Sequence, residues 1–369
     1  MCGIVGQFSY QCQSQDTKRI ISSLTTLMHR RGPDDQGYWS DRKHCTLGFK
    51  RLAILDLTPT GNQPIVSPDG RFALVINGEI YNFKELRAKL EGKGWQFHST
   101  GDAEVALFAL AEWGKKTLDR FNGVFALAFY DRYEKRLLLA RDHVGSKPLY
   151  YLQNQNGLVF GSQYDQIMAH PWAKGLSINQ NALALYLRFG YIPAPYAILE
   201  NTHLLEAGCW LEINAEGQTK HGRYFEFPRY KKPDLNGDEA FEAVEAAMMD
   251  AVQRQMVSDV PLGAFLSGGI DSALVCSIAQ SLKTEPIKAF TMGVPGSTLD
   301  ETEDALRYAQ SIGVDHHVAR IRFDHVEDLA LEAAGACSEP FGDYSIFPTL
   351  VISKFASKQV KVMLSGDGG

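Results

Sequence analysis

The hydrophobic pattern of the chain changes character once, near residue 230, and that change constrains the fold more than any other feature. Upstream, short apolar segments at 72–76, 124–130, 137–140, 149–152 and 158–160 are broken by Gly, Pro, Asn and Asp, as antiparallel strands are. Between them, 16–28 places Ile20, Leu24, Leu27 and Met28, and 102–113 places Val105, Leu107, Phe108 and Leu110, at helical spacing. The first part therefore predicts a layered α+β fold. Downstream the pattern alternates: helix 238–256 with a stripe at Phe241, Val244, Met248 and Val252, strand 261–266, helix 271–282, strand 287–294, helix 299–312, strand 315–321, helices 324–336 and 348–358, strand 360–364. Strands alternating with helices of this length predict a parallel sheet with helices on both faces, whose ligands sit at the carboxyl ends of the strands.

Between 223 and 237 the chain loses periodicity and gains Pro, Gly and basic charge, so the expected domains are 2–230 and 231–369. The chain has 369 residues, enough for two or three cores. It carries 37 basic against 43 acidic side chains, and this balance gives no footprint for nucleic acid or an anionic membrane. Without a long apolar run or a leader at 1–7, the expected location is the cytoplasm. Cys2, Cys12, Cys45, Cys209, Cys276 and Cys337 contain no Cys-x-x-Cys pair. Most are expected to be buried, reduced side chains. His316, His317 and His325 lack metal-ligand spacing and are expected at the surface or a strand end.

At 265–272 the sequence Phe-Leu-Ser-Gly-Gly-Ile-Asp-Ser puts two hydroxyls, two glycines and an acid where a strand becomes a helix. Backbone amides exposed by glycine, backed by a helix N-terminus, cradle phosphate, and Asp271 is placed to hold Mg²⁺ against it. A tight glycine turn with an N-capping side chain reads the same residues without a ligand. Neither a Walker loop nor a dinucleotide fingerprint is present. At the other end, removal of Met1 would leave Cys2 with its own α-amine, so that nucleophile and base share one residue.

The 265–272 segment resembles the pyrophosphate loop of the ATP pyrophosphatases. Cys2-Gly3-Ile4-Val5-Gly6 resembles the start of class II glutamine amidotransferases, enzymes of N-terminal-nucleophile type. Further matches are Arg31-Gly32-Pro33-Asp34, Arg51-Leu52-Ala53-Ile54, Asn77-Gly78-Glu79-Ile80-Tyr81-Asn82, Gly101-Asp102-Ala103-Glu104 and the Arg141 to Tyr151 segment. Together they resemble the glutamine-hydrolysing asparagine synthetase family along the whole chain.

The resemblance implies an α+β N-terminal-nucleophile sandwich of two antiparallel sheets between helices, followed by an α/β ATP-pyrophosphatase domain. It implies Cys2 as nucleophile and base, with the Asn77 side chain and Gly78 N–H as oxyanion hole. Glutamine would be held by Arg51 on its carboxylate and Asp102 on its ammonium, with Leu52, Ile54, Asn77, Gly78 and Glu79 completing the pocket. ATP would meet Leu266, Ser267, Gly268, Gly269, Asp271, Ser272, Met292, Ser365 and Gly366, with Asp367 linked to acyl-adenylate formation and Asp271 to Mg²⁺. The implied substrates are glutamine, aspartate and ATP, and a homodimer is the assembly considered.

The segment Glu339 to Ser345 also resembles a family segment, with its role open. Arg141 to Tyr151 is expected to fix a loop rather than touch substrate. Arg30 stands where the family carries a histidine, and the chain stops at Gly369 short of the family's acidic pair and long helical region, which is read as a truncation. Two alternatives stay open: an amidotransferase of the same architecture acting on a sugar uronate or peptide carboxylate, and a glutamine-binding regulatory protein.

Overall fold

The computed structural model describes residues 1–231, 234–298, 300–321 and 326–367. Leu299, Asp324, His325, Gly368 and Gly369, which the sequence reading used, lie outside them. The chain divides into two compact units, one of 1–228 with 338–342 and one of 229–337 with 343–369.

The first unit holds twelve strands: β1 (Gly3–Ser9), β2 (Asp35–Ser40), β3 (Cys45–Arg51), β4 (Ile65–Val66), β5 (Phe72–Ile80), β6 (Gly123–Asp131), β7 (Arg136–Arg141), β8 (Tyr150–Asn154), β9 (Gly157–Gly161), β10 (Thr202–Leu204), β11 (Cys209–Asn214) and β12 (Thr219–Arg223). They form two antiparallel six-stranded sheets, β10-β8-β9-β1-β3-β2 and β12-β11-β7-β6-β5-β4. Successive side chains of a strand point to opposite faces, and β1 uses both. Ile4 and Phe8 join Phe49, Val75, Ala128, Leu139 and Leu211 in the core shared by the sheets. Val5 packs with Ile21 and Leu24 of the first helix, α1 (Thr17–Thr26), and with Met28 just beyond it. Complete burial of Phe8 and Phe49 contributes about 1.5–3 kcal/mol each. Helices α2 (Phe83–Glu91), α3 (Asp102–Trp113), α4 (Tyr164–Ala169) and α5 (Gln180–Phe189) complete this unit, with α3 against β5 and α4 against β9.

Helices α2, α4 and α5 are absent from the sequence reading, although Phe83, Leu86 and Leu90 lie at helical spacing and are buried. Strand β1 escaped it because a strand buried on both faces shows no alternation.

Residues Ser338 to Gly342, expected within the second domain, belong to the first unit. Ser338 Oγ accepts from Tyr164 N–H at 2.8 Å, Glu339 Oε1 from Ile198 N–H at 3.1 Å, and Gly342 N–H donates to Gly190 O at 2.7 Å. Burial raises the Glu339 pKa.

The second unit contains α6 (Asp238–Gln255), β13 (Leu262–Phe265), α7 (Ile270–Ser281), β14 (Lys288–Gly293), α8 (Thr302–Ile312), β15 (Asp315–Arg320), α9 (Val326–Ala336), α10 (Ile346–Ala356) and β16 (Val362–Leu364). The strands pair in parallel in the order β15-β14-β13-β16. On one face Ala264 and Ala289 pack with Val252, Cys276 and Ala305 from α6, α7 and α8; on the other Phe290 packs with Phe355 and Ala356 of α10.

The stripe expected to bury α6 holds only in part. Val252 is buried, whereas Phe241 is 71% and Val244 60% exposed. Among the cysteines, Cys45, Cys209 and Cys276 are buried, Cys2 and Cys337 half-buried and Cys12 exposed; all six are free thiols. Among the described residues no helix is long and apolar enough to cross a membrane.

Candidate active sites

In the first unit the chain start is pinned at the head of an inner strand. Ile4 N–H donates to Ser162 Oγ at 3.0 Å, and β1 lies between β9 and β3. The Cys2 carbonyl accepts from Arg31 Nε at 3.0 Å; with the Asn77 amide assigned the orientation that satisfies its neighbours, Nδ2 donates to the same carbonyl at 2.8 Å and Oδ1 accepts from Arg31 Nη2 at 3.3 Å. Cys2 Sγ accepts from Leu52 N–H at 3.4 Å, and the thiol faces Leu52 O at 3.5 Å. Burial raises the thiol pKa. Burial also lowers the pKa of the Met1 amine, one residue ahead of Cys2, to about 6. The expected residues Cys2, Leu52 and Asn77 thus converge, Cys2 from the residue before β1, Leu52 from the residue after β3 and Asn77 from within β5.

Gly78 follows Asn77 in β5, opposite Phe125. Its φ is +154°, and a Cβ there would lie 2.0 Å from Val124 O, so only glycine lets β5 pass β6 at this point. Asp102 opens α3, where the helix dipole favours a carboxylate, and its Oδ2 accepts from Ile80 N–H at 2.8 Å. Burial raises Asp102 to about 6; burial and then the Asp102 charge raise Glu79 to about 7. For Glu79 burial and the Asp102 charge outweigh the pull of Lys147 and the Met1 amine, and no cation is among the causes acting on Asp102.

Arg51 differs from the simple clamp expected of it. It is 6% exposed, and its guanidinium is turned onto the loop after β3: Nη1 donates to Thr58 O at 3.0 Å and Asn62 Oδ1 at 2.6 Å, Nη2 to Leu55 O at 3.4 Å and to Asp56 O. The same loop carries half-buried Leu52 and Ile54. Asp34 fixes its start, accepting from Ala53 N–H at 2.8 Å. The sequence reading gave Arg31 no role, although its motif was in plain view.

In the second unit the sheet order places the crevice. From β13 the chain runs outward through β14 and β15, then crosses back to β16 on the other side, so the carboxyl ends of β13 and β16 flank a topological switch point. Residues Leu266 to Ser272 follow β13, Ser365 to Asp367 follow β16, and Met292 lies near the end of β14. Ser272 Oγ accepts from Ser267 N–H at 3.0 Å and contacts Ser267 Oγ at 2.8 Å; Ser267 Oγ accepts from Gly269 N–H at 3.1 Å. A Cβ on Gly366 would lie 2.7 Å from Ser272 N and 2.9 Å from the Asp271 carbonyl carbon, so the 365–367 turn closes directly on the 267–272 turn.

Gly268 N–H donates to Glu301 Oε2 at 2.9 Å, so an amide of the glycine turn is engaged by a carboxylate. Sequence reading missed Glu301, whose only signal is an acid just ahead of α8. Asp271 and Asp367 are exposed, and His316 in β15 meets Thr291 Oγ1 at 2.7 Å.

A two-sheet sandwich with Cys2 at the head of an inner strand, joined in sequence to a parallel-sheet unit with a Ser-Gly-Gly-x-Asp-Ser turn, defines an N-terminal-nucleophile amidotransferase fold coupled to an ATP-pyrophosphatase-type domain. Comparison with known proteins agrees. Residues 1–225 match the family model described as glutamine amidotransferase domain, and residues 243–369 the one described as asparagine synthase.

Asparagine synthetase [glutamine-hydrolyzing] 1 of Bacillus subtilis is 31% identical, with 100% of this chain and 58% of that protein covered. Putative asparagine synthetase [glutamine-hydrolyzing] 2 of Methanocaldococcus jannaschii is 34% identical over 100% of this chain and 74% of its own. A putative asparagine synthetase of Mycobacterium tuberculosis is 32% identical, with 59% of it covered. The chain therefore spans between 58% and 74% of the length of these relatives. It belongs to the asparagine synthase family whose members carry an N-terminal glutamine amidotransferase domain.

Proposed function

We propose that the protein containing these residues is a glutamine-hydrolysing asparagine synthetase working in the cytosol, and that Cys2 is its glutaminase nucleophile once Met1 is removed. The observation that carries this reading is the convergence on Cys2: its sulfur on Leu52 N–H and its carbonyl on Asn77 and Arg31.

The Cys2 thiol gives its proton to the α-amine, and sulfur bonds to the carboxamide carbon of glutamine. The oxyanion falls to Asn77 Nδ2, which has a second hydrogen beyond the one on Cys2 O, and to Gly78 N–H. The tetrahedral adduct collapses with cleavage of C–N, and the amine's proton leaves with nitrogen as ammonia. Water then cleaves the thioester to glutamate and restores the thiol. Glu79 and Asp102 hold the substrate ammonium. Arg51, which braces the 55–62 loop, is assigned to the substrate carboxylate.

In the second unit the 267–272 turn takes the phosphates of ATP, with Leu266, Met292, Ser365 and Gly366 around the rest of the nucleotide. Oxygen donors at Asp271 and Glu301 suit Mg²⁺, which takes one or two carboxylates beside substrate phosphates and, when bound, neutralises phosphate charge. Among the described residues no three-ligand cluster of His, Cys, Asp or Glu is assembled. The aspartate carboxylate bonds to the α-phosphorus as pyrophosphate leaves, with Asp367 beside that step. Ammonia then displaces AMP from the acyl carbon.

Two assays on the chain lacking Met1 test the reading. It should release glutamate from glutamine, and in the whole protein aspartate should support exchange between ATP and pyrophosphate. Glutamine bound without turnover would make the first unit a binding module, and exchange supported by another carboxylate in place of aspartate would reassign the acceptor.

A further inference from the structure

The loop that Arg51 braces contains a buried carboxylate that takes no part in these steps. Asp56 is 3% exposed, and its φ is +50°, in the left-handed region that a non-glycine residue keeps only where its surroundings hold it. Arg51 Nη2 donates to Asp56 O, and Arg51 Nη1 to Thr58 O at 3.0 Å. Asp56 Oδ1 accepts from Thr58 N–H at 3.2 Å and Thr58 Oγ1 at 2.5 Å, and Oδ2 accepts from Thr60 Oγ1 at 2.8 Å. These bonds stay within the loop. Burial opposes ionisation of Asp56, but the bonds from Thr58, Thr100 and Thr60 outweigh it and hold the pKa below the usual aspartate value, so the group is a carboxylate at neutral pH.

The bond from Thr100 leaves the loop. Asp56 Oδ2 accepts from Thr100 N–H at 3.0 Å, forty-four positions along the chain and two residues ahead of Asp102. The turn that carries Thr100 is itself tied to α3, where Glu104 Oε2 accepts from His98 N–H at 3.0 Å and Ser99 N–H at 2.7 Å. A Cβ on Gly61 would lie 3.1 Å from Asp56 Cβ, and one on Gly101 would lie 3.4 Å from the same atom, so Asp56 sits between the two segments. Those segments carry the two charges assigned to glutamine. Arg51 opens one and Asp102 follows the other, and both charges act on the Cys2 thiol. A free amino acid presents its carboxylate and ammonium on one carbon, so a pocket that binds both must hold its own cation and anion at one fixed spacing.

We propose that Asp56 is a positioning residue for glutamine recognition: by joining the Arg51 loop to the turn before Asp102, it sets the spacing at which both charged groups on the substrate α-carbon are bound together. The proposal rests on the glutaminase reading.

The test uses the full chain lacking Met1, with Asp56→Asn, Asp56→Ala and Thr60→Val. An asparagine keeps one oxygen, enough for the loop or for Thr100 but not for both, whereas Thr60→Val removes one bond within the loop and leaves the bond to Thr100. For each, kcat and KM for glutamine are measured beside the inhibition constants of glutaramate, which lacks the α-ammonium, and 4-aminobutanamide, which lacks the α-carboxylate. Folding is followed by thermal denaturation. Both Asp56 variants should raise KM roughly 10-fold with kcat held within about 3-fold, because binding of the two charges together is lost and the reacting residues are untouched. The two inhibitors each use one end of the pocket, so their constants should move by less than about 3-fold, and Thr60→Val should stay within about 2-fold of the parent throughout.

An unchanged KM overturns the proposal, as does a rise in KM matched by both inhibition constants, which would make Asp56 a support of the loop alone. Unfolding of both Asp56 variants beside a folded Thr60→Val overturns it too, since the carboxylate would then be structural. If the parent chain hydrolyses no glutamine, the glutaminase reading fails by itself, and calorimetric binding of glutamine and the two analogues to the same variants still decides the role of Asp56.

Discussion

Cys2 and Leu52 meet through two atoms of the same main chain: Leu52 N–H donates to Sγ at 3.4 Å while the thiol faces Leu52 O at 3.5 Å. The N–H favours a thiolate and the carbonyl opposes it, so sulfur must turn from the carbonyl as it loses its proton. Cys2→Ala should abolish glutamine hydrolysis, by roughly 10³-fold or more, and leave glutamine binding nearly intact. A form retaining Met1 should be equally inactive, because its amide nitrogen at Cys2 has no basicity. Glutamate release by either species at the parent rate would remove Cys2 from its assigned role.

Asn77→Ala should lower kcat by about 10²- to 10³-fold with a smaller change in KM, since an oxyanion donor acts mainly in the transition state. A change confined to KM would show that Asn77 orients Cys2 and does not hold the oxyanion.

The two charged glutamine contacts should separate under mutation. Arg51→Ala strips donors from Thr58, Asn62, Leu55 and Asp56 at once and should cost roughly 3 kcal/mol or more in stability, read from denaturant unfolding. Asp102→Asn keeps an oxygen for Ile80 N–H. Asp102 has a folded pKa of about 6, above the ordinary aspartate value of 3.8, so ionising it penalises the fold as pH rises between those values. Asp102→Asn should therefore stabilise the unit at pH 8, by on the order of 1–3 kcal/mol, and have little effect near pH 3.5, while weakening glutamine binding. Equal stability losses from both substitutions would contradict this arrangement.

Glutamine binding should also release protons. Glu79 is pushed up to about 7 and Asp102 to about 6, so both are partly protonated between these values, and an arriving ammonium ionises them. Titration calorimetry of the Cys2→Ala chain at pH 6.5, in buffers of different ionisation enthalpy, should show net release of protons and weaker binding at pH 5.5 than at 7.5. Uptake of protons, or an affinity flat across that range, would place the ammonium elsewhere.

Gly366→Ala should push the turn after β16 off Ser272 and Asp271 and open the phosphate turn. ATP binding, followed by fluorescence of a nucleotide analogue, should fall at least roughly 10-fold, with glutaminase activity of the first unit unchanged. Unaltered nucleotide affinity would show that the two turns act independently.

The change of hydrophobic period near residue 230 determined the two kinds of architecture, because strand and helix periodicity are local properties of a chain. The Ser267 to Ser272 turn was legible for the same reason: its bonds run between residues at most five apart. So was the role proposed for Cys2, which follows from its place beside Met1.

What the sequence left undecided depends on closure of the sheets. Pairing of β1 with β3 brings Leu52 to Cys2, fifty residues away, and pairing of β5 with β6 sets Gly78 against Val124. Arg51 shows a charge whose partners only the folded loop reveals, and Phe241 an apolar stripe position that the fold leaves in water. Lys147 reaches the first residue across 146 positions of chain. Periodicity fixes which face of an element is apolar, but contacts at that separation exist only after the core has set one sheet upon the other, and electrostatics at the site follows from those contacts.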